Sequence, residues 1–197
     1  MKILCLYNNK CALKLFSWIE QQNNECVLCN EKIDVEWIKK QKFDLAISYT
    51  YGFIVKEDVI DELKGNIVNL HTSYLPWNRG SDPNMWSLIE HTPRGVTLHY
   101  INKHLDQGDI IAQEILQDKK DCKQTLNSTY KELDDAAVLL FKKVYVFYEF
   151  WPMMRKKVIG TGSYHSDKQG KKLREIITSF DMEVEEFIKK YNTLQKG

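Results

Sequence analysis

Short and nearly unbroken apolar runs recur through the first third of the chain, and stretches with helical spacing separate them. The first run is KILCLY at residues 2–7, and the others lie at residues 25–29, 44–48 and 67–70. Runs without polar alternation are typical of strands that are buried on both faces of a parallel sheet. The alternation therefore predicts an α/β fold: a Rossmann-like, mostly parallel sheet with helices on both faces and ligands bound outside the carboxyl ends of the strands.

A long irregular segment follows the fourth run, from residue 71 to residue 82, and ends in Asp82-Pro83. Asp82 is expected to cap a helix that reaches about Glu90, because an aspartate can accept hydrogen bonds from the free amides and proline fits the first helical turn.

Two further strands are predicted at residues 95–101 and 109–116, joined by NKHLDQG. Gly108 is expected to supply the positive φ that a tight connection needs. Asp106 then lies in a loop between two strands.

The C-terminal third is predicted to be mainly helical. Apolar residues recur every three or four positions from Leu126 to Tyr148, which predicts a long amphipathic helix that Pro152 ends. A basic, glycine-rich loop is expected at residues 160–172, and Asp181 is expected to cap a last helix. We expect residues 1–150 to form the main domain and residues 151–197 to form a C-terminal extension of helices and loops packed on it.

Charge and cysteine content exclude several classes of protein. Lys plus Arg (28) nearly balances Asp plus Glu (27), so no net field favours a nucleic acid or an anionic membrane as a partner. The first residues carry no signal-peptide pattern and no membrane-spanning run, so we expect a cytoplasmic protein without a membrane partner. Its five cysteines should be reduced thiols, and Cys26 and Cys29 are interpreted as small apolar residues around a strand rather than as a zinc knuckle or a redox pair.

Asn69 and His71 carry the chemistry that the pattern predicts. They stand two residues apart at the end of the fourth strand, so both side chains lie on the same face. If the loop that holds Asp106 comes over this strand end, an amide, an imidazole and a carboxylate meet. Such a group suits acyl transfer to an amine: the amide donates to a developing oxyanion, the imidazole exchanges a proton, and the carboxylate stabilises the imidazolium. The alternative is that His71 is only a structural hydrogen-bond donor.

The segment from about residue 66 to residue 113 resembles the folate-dependent formyltransferase family. The shared motifs are Asn69-Leu70-His71, Ser73-Tyr74-Leu75-Pro76-Trp77-Asn78-Arg79-Gly80, Gly95-Val96-Thr97-Leu98-His99 and Asp106-Gln107-Gly108-Asp109-Ile110-Ile111. The resemblance implies that residues 1–150 are the catalytic domain, that Asn69, His71 and Asp106 are catalytic and that no metal is required. It also implies that 10-formyltetrahydrofolate is the formyl donor. The implied pterin contacts are Tyr51, Gly52, Phe53, Ile54, Leu105, Asp106, Gln107 and Gly108.

The acceptor amine is predicted by comparing subfamilies. Fewer than fifty residues follow Trp151, which leaves no room for the C-terminal barrel of methionyl-tRNA formyltransferases. The first strand leads into Tyr7-Asn8-Asn9-Lys10 and not into the glycine-rich phosphate loop of glycinamide ribonucleotide transformylases. The segments LPWNRGSDPNMW and GTGSYH are similar to those of nucleotide-sugar N-formyltransferases. We therefore expect the acceptor to be a UDP- or dTDP-linked amino-deoxysugar, bound by Asn8, Asn9, Trp77, Asn78, Arg79 and Tyr164.

The sequence leaves open two alternative functions and two possible roles for several residues. A phosphoribosylglycinamide formyltransferase is the second interpretation, and a folate-binding module without turnover is the third. An exposed apolar helix face could support a homodimer. Trp77 and Trp86 could stack on a ligand or pack, His99 is expected to make a structural hydrogen bond, and the basic residues Lys168, Lys171, Lys172 and Arg174 are expected to be solvated surface.

Overall fold

The computed structural model describes residues 1–117 and 123–195. Its strands are β1 (Lys2–Leu6), β2 (Glu25–Cys29), β3 (Leu45–Tyr49), β4 (Ile67–His71), β5 (Arg79–Gly80), β6 (Gly95–Tyr100), β7 (Ile110–Ile115) and β8 (Tyr164–His165). Its α-helices are α1 (Leu13–Glu20), α2 (Val35–Gln41), α3 (Glu57–Glu62), α4 (Pro83–Glu90), α5 (Leu126–Tyr145), α6 (Trp151–Met154), α7 (Asp167–Glu175) and α8 (Val184–Leu194). Short 3-10 helices lie at Lys10–Ala12 and Tyr148–Phe150.

The chain divides into two compact units. Unit 1 comprises Met1–His71, Thr97–Ala112 and Phe141–Val158. Unit 2 comprises Thr72–Val96, Gln113–Leu140 and Ile159–Gly197. A division of the chain at residue 150 stays a prediction.

Unit 1 is built around a six-stranded sheet in the order β2-β1-β3-β4-β6-β7. β1 pairs in parallel with β2 and β3, and β3 pairs in parallel with β4, so the predicted mostly parallel α/β fold is confirmed. The apolar runs of β1 and β3 are buried almost throughout, as expected for strands covered on both faces.

β6 runs antiparallel to β4 and ends beside its beginning, with Tyr100 opposite Val68. The loop that follows β6 must therefore fold back along the sheet to bring Asp106 to Asn69. The expected role of Gly108 is wrong: the positive φ belongs to Asp106 (51°). A glycine is needed at position 108 because a Cβ there would overlap the carbonyl oxygen of Tyr100.

Unit 2 packs its helices around a separate apolar core. The two-residue strands β5 and β8 pair in parallel, Arg79 opposite Tyr164 and Gly80 opposite His165. The buried members of the core come from α4, α5, α7 and α8 and from the segment before α8: Met85, Trp86, Leu88, Leu126, Leu173, Met182 and Phe187.

The predicted cap of α4 is wrong. Asp82 precedes the helix with a left-handed backbone (φ 54°), and its side chain makes no capping hydrogen bond. Its carboxylate instead accepts from the Ser81 hydroxyl at 2.7 Å and pairs with the Arg174 guanidinium. The Asp82 carboxylate thus pairs with Arg174, which is distant in sequence, and does not accept from the first amides of α4.

Three expectations for the C-terminal third are also wrong. Half of the predicted 160–172 loop is helical, because Ser166 and Gln169 form a capping box that starts α7. The residue at the cap position of α8 is Glu183 and not Asp181. Pro152 does not end α5, which stops at Tyr145; it lies in the first turn of α6, where proline is tolerated.

Candidate active site

Asn69 and His71 lie on one face of β4, as the period of two requires. In the ladder with β6, Asn69 is opposite His99 and His71 is opposite Thr97. Directly opposed residues share a face, so the His99 ring lies beside the Asn69 amide. The rings of His71 and His99 are 6.2 Å apart and nearly perpendicular. The sheet therefore groups one amide and two imidazoles.

Asp106 completes this group, which we call the polar cluster (Asn69, His71, His99 and Asp106). Its Oδ2 lies 3.7 Å from His71 Nε2. Its Oδ1 lies 3.5 Å from both Asn69 Nδ2 and His99 Nε2. His71 and Asp106 are each about 8% exposed, so the carboxylate and both rings interact with little solvent between them. The structure thus brings together the three residues predicted to be catalytic, and their roles stay a proposal.

His99 is expected to make a structural hydrogen bond, and the structure shows one with a backbone carbonyl and adds a contact with the Asn69 amide. Its Nδ1 lies 2.8 Å from the carbonyl oxygen of Tyr100, and its Nε2 lies 3.3 Å from Asn69 Nδ2. The alternation of β6 places His99 on the face of Thr97, but only the antiparallel register with β4 reveals the contact with Asn69.

The loop that presents Asp106 is held by Asn102. The Asn102 side chain accepts from the His104 amide at 2.9 Å and donates to the carbonyl of Gln107 at 3.2 Å. Asp106 adopts its left-handed backbone between these two anchors, a conformation that aspartate tolerates better than most residues. Asn102 was missed because its contacts lie within an irregular loop.

The segment predicted to contact the pterin, residues 51–54, is anchored at its start. The Tyr51 hydroxyl donates to the carbonyl of Glu31 at 2.7 Å and accepts from the Ile33 amide at 3.3 Å. Phe53 and Ile54 then project outward, 42% and 76% exposed.

The side-chain amides of Asn8 and Asn9 are used within the protein. Asn8 accepts from the Gly52 amide at 2.6 Å and donates to the carbonyl of Asn30 at 2.8 Å. Asn9 accepts from the Cys11 amide at 3.1 Å. Asn8 therefore fixes the position of Gly52, a role that its assignment to the acceptor substrate did not anticipate.

The residues of unit 2 that are predicted to bind the acceptor differ in accessibility. Asn78 is fully buried: it donates to Thr92 Oγ1 at 2.7 Å and accepts from the Ser163 hydroxyl at 3.0 Å. Arg79 donates to the carbonyl of Thr161 at 3.2 Å and to the carbonyl of Ser163 at 3.4 Å. The aromatic side chains of Trp77 and Tyr164 are 36% and 52% exposed.

Trp86 packs rather than facing solvent. Its ring stacks on His165 at 4.0 Å with an interplanar angle of 7°. Burial lowers the pKa of His165 below its ordinary value, although the Glu90 carboxylate 3.3 Å from its Nε2 opposes this shift. Protonation of His165 is therefore disfavoured in the folded protein.

A basic run and a Cys-x-x-Cys pair are the other candidate groups from the sequence. The side chains of Lys168, Lys171 and Lys172 are exposed on α7. Burial raises the pKa of the Cys26 thiol, opposite to the shift that a redox-active cysteine needs. Cys122 lies outside the described residues.

Residues 1–117 and 123–195 contain neither a metal-binding cluster nor a membrane-spanning helix. No three His, Cys, Asp or Glu side chains there are arranged to hold a metal ion. None of the helices there is long and apolar enough to cross a bilayer.

A protein-family profile described as "Formyl transferase" matches residues 14–142. Among solved structures, the chain is similar to the formyltransferase PseJ from Anoxybacillus kamchatkensis in complex with UDP-4,6-dideoxy-4-formamido-L-AltNAc and tetrahydrofolate. The two share 32% identity with a TM-score of 0.82, and the match covers 96% of this chain and 99% of the other.

Two curated relatives come from different subfamilies. Methionyl-tRNA formyltransferase from Fusobacterium nucleatum is 32% identical over 151 residues, which is 76% of this chain and 44% of that protein. Bifunctional polymyxin resistance protein ArnA from Wigglesworthia glossinidia brevipalpis is 36% identical over 110 residues, 55% of this chain and 16% of that protein. The chain spans less than half the length of the curated relatives that it matches.

Proposed function

Since this chain belongs to the formyl transferase family, we propose that it is a folate-dependent N-formyltransferase. It moves the formyl group of 10-formyltetrahydrofolate to the amino group of a nucleotide-linked amino-deoxysugar. The observation that supports this chemistry most directly is the polar cluster, because the Asp106 carboxylate lies 3.5 Å from the Asn69 amide and 3.7 Å from the His71 imidazole.

Each member of the predicted trio has a role in the proposed reaction. The neutral amine attacks the formyl carbon, a new C–N bond forms, and the bond between that carbon and N10 of the folate breaks. Asn69 and protonated His71 donate to the oxygen that becomes negative, and such donors are worth roughly 10² to 10³ in rate. Protonated His71 gives its proton to N10 as the bond between the formyl carbon and N10 breaks, and the neutral imidazole then takes the proton that the amine releases, so His71 ends protonated as it began. Asp106 orients that imidazole and balances its charge.

The loops of unit 1 offer a surface that fits a pterin. Phe53, Ile54 and Leu105 are 42%, 76% and 44% exposed, although each is apolar. Exposed apolar side chains on anchored loops favour a flat ring whose faces would cover them, and backbone groups beside them can bind the polar edge of a pterin. Asn8 and Asn102 hold these two loops through backbone groups, so we assign both residues to positioning the folate site.

The nucleotide sugar is the acceptor that the comparisons favour. PseJ was solved with a UDP-linked formamido sugar, and this chain covers 99% of it. Trp77 and Tyr164 are the exposed aromatic side chains of the predicted acceptor set and could stack on a base. Asn78 and Arg79 instead make hydrogen bonds within the protein, so we assign them to holding the backbone around β5 in place.

Methionyl-tRNA is the second candidate acceptor, because a curated relative of this chain is named as a methionyl-tRNA formyltransferase. A net charge of +1 argues against it, since tRNA binding depends on contacts between basic residues and phosphates.

A competition assay separates these acceptors. The protein is incubated with 10-formyltetrahydrofolate and equal amounts of a UDP- or dTDP-4-amino-4,6-dideoxyhexose, glycinamide ribonucleotide and methionyl-tRNA, and formylated products are quantified by mass spectrometry. We expect the amino sugar to be formylated fastest, and the same sugar with a hydroxyl in place of its amine is the matched control. Faster formylation of either other acceptor would overturn the assignment.

A further inference from the structure

We propose that His99 is a positioning residue whose Nε2 lone pair fixes the orientation of the Asn69 amide. This inference rests on the proposed function, because the amide must direct an N–H at the oxygen that becomes negative.

Contacts of the His99 ring determine its tautomer. Nδ1 lies 2.8 Å from the backbone carbonyl of Tyr100, and a carbonyl oxygen can only accept. Nδ1 therefore carries the proton. In the neutral ring Nε2 then has the lone pair, and it lies closer to Asn69 Nδ2, at 3.3 Å, than to Asp106 Oδ1, at 3.5 Å. His99 is 1% exposed, so water does not compete for this lone pair.

Two acceptors now face the same end of the Asn69 amide. Nδ2 lies 3.3 Å from His99 Nε2 and 3.5 Å from Asp106 Oδ1. The reversed amide would place its own oxygen against a lone pair and a carboxylate, which is unfavourable in a buried site. His99 and Asp106 together thus keep the NH₂ group toward the cluster.

One amide hydrogen remains for the reaction. His99 accepts one, while the 3.5 Å contact with Asp106 is at the limit of hydrogen-bond length. The second hydrogen can therefore turn from the carboxylate to a substrate oxygen without releasing the first. An oxyanion donor held in advance costs no reorganisation during the reaction.

Two substitutions separate this role from simple packing. A Gln amide reaches the position of Nε2, so His99→Gln keeps an acceptor beside Asn69 but loses the bond to Tyr100. An Asn amide reaches only the position of Nδ1, so His99→Asn keeps the bond to Tyr100 and loses the acceptor. A residue that only packs the sheet would be replaced about equally well by either.

Turnover, folate-analogue affinity and thermal unfolding are measured for both variants. We expect His99→Asn to lower kcat by roughly 10² to 10³, the value of one oxyanion donor. His99→Gln should retain at least tenfold more kcat than His99→Asn, with folate-analogue affinity within a few-fold of the parent in both. Equal kcat in the two variants, or near-parental kcat in His99→Asn, overturns the proposal.

Nitrogen NMR of the parent protein tests the tautomer without any acceptor. We expect the His99 signals to show a protonated Nδ1 and an unprotonated Nε2 at pH 7.5, with the assignment made by their loss in His99→Gln. A protonated Nε2 overturns the proposal even if the enzyme is active. If the amino sugar is not formylated but the NMR result holds, the acceptor assignment has failed and the kcat ratio is measured with the amine that is formylated.

Discussion

The polar cluster of unit 1 and the β5–β8 pair of unit 2 use polar side chains in different ways. In the cluster, contacts among Asn69, His99 and Asp106 are 3.3 to 3.5 Å, and His71 lies 3.7 Å from Asp106. Beside the β5–β8 pair, Asn78 makes contacts of 2.7 to 3.0 Å with Thr92 and Ser163.

This difference in contact distance distinguishes two functions of buried polar side chains. Short, well-directed hydrogen bonds hold a loop in one conformation, and each adds to stability. Longer contacts between groups that must exchange protons and partners are typical of catalytic sites before substrate binds. We therefore expect substitutions in the cluster to lower turnover and substitution of the buried Asn78 to lower stability.

His71→Asn should produce the largest effect. Losing the imidazole removes the proton carrier, which is worth roughly 10² to 10⁴ in rate. Folate-analogue affinity and the thermal midpoint should stay near parental values, because the pterin contacts are assigned to other residues. Turnover of an amino-sugar nucleotide measures the effect. Near-parental turnover would remove His71 from the reaction.

Asp106→Asn should lower turnover by about tenfold or more, because the imidazolium loses the charge that stabilises it. Asparagine also tolerates the left-handed backbone of this position, so the loop should persist. Asp109→Asn, on the same connection, is the matched control, and its turnover should be near parental. Equal losses in both variants would indicate a general effect of charge.

Asn78→Ala should destabilise the protein by about 1 to 3 kcal/mol, because Thr92 and Ser163 lose a buried partner. Turnover per folded molecule should change by no more than a few-fold. Urea unfolding and active-site titration measure the two quantities. A stable variant with strongly reduced turnover would contradict the division of roles.

His165 should give the smallest effect, visible only in the pH dependence of stability. Burial lowers its pKa in the folded state, so its contribution is fully present above about pH 6.5, the ordinary histidine value. Stability should fall as the pH drops from there toward the folded pKa, since the unfolded chain binds the proton more readily.

The His165 contribution can be isolated with paired variants. His165→Gln should flatten this part of the profile, whereas the control His91→Asn, at an exposed position, should not. An unchanged slope in His165→Gln would mean that the imidazole is equally easy to protonate in both states.

Regular strands made unit 1 predictable. The apolar runs of β1, β3 and β4 predicted strands correctly, because burial on both faces leaves no alternation of polar and apolar residues. Asn69 and His71 followed from the period of two alone. The approach of Asp106 to Asn69 and His71 was predictable only from the family motifs. Its loop leaves β6 beside the beginning of β4, and no local sequence pattern predicts the path of that loop.

Long-range partners explain what the sequence missed. Aspartate is a common helix-capping residue, but the Asp82 carboxylate pairs with the guanidinium of Arg174, which is distant in sequence. The His99 contact depends on the register of β6 against β4. Ser166 and Gln169, in contrast, have the spacing of a capping box and could have been found. The homodimer and the cytoplasmic location stay predictions.

A crystal structure of the protein with a folate analogue and an amino-sugar nucleotide tests the central claim most directly. The measured quantity is the position of the acceptor amine relative to the polar cluster. We expect the amine nitrogen within about 2.6 to 3.2 Å of His71 Nε2, the reach required for proton transfer, and the donor oxygen at a similar distance from Asn69 Nδ2. An amine bound beyond one water molecule from His71, for an amino-sugar nucleotide that the protein formylates in solution, would contradict the account.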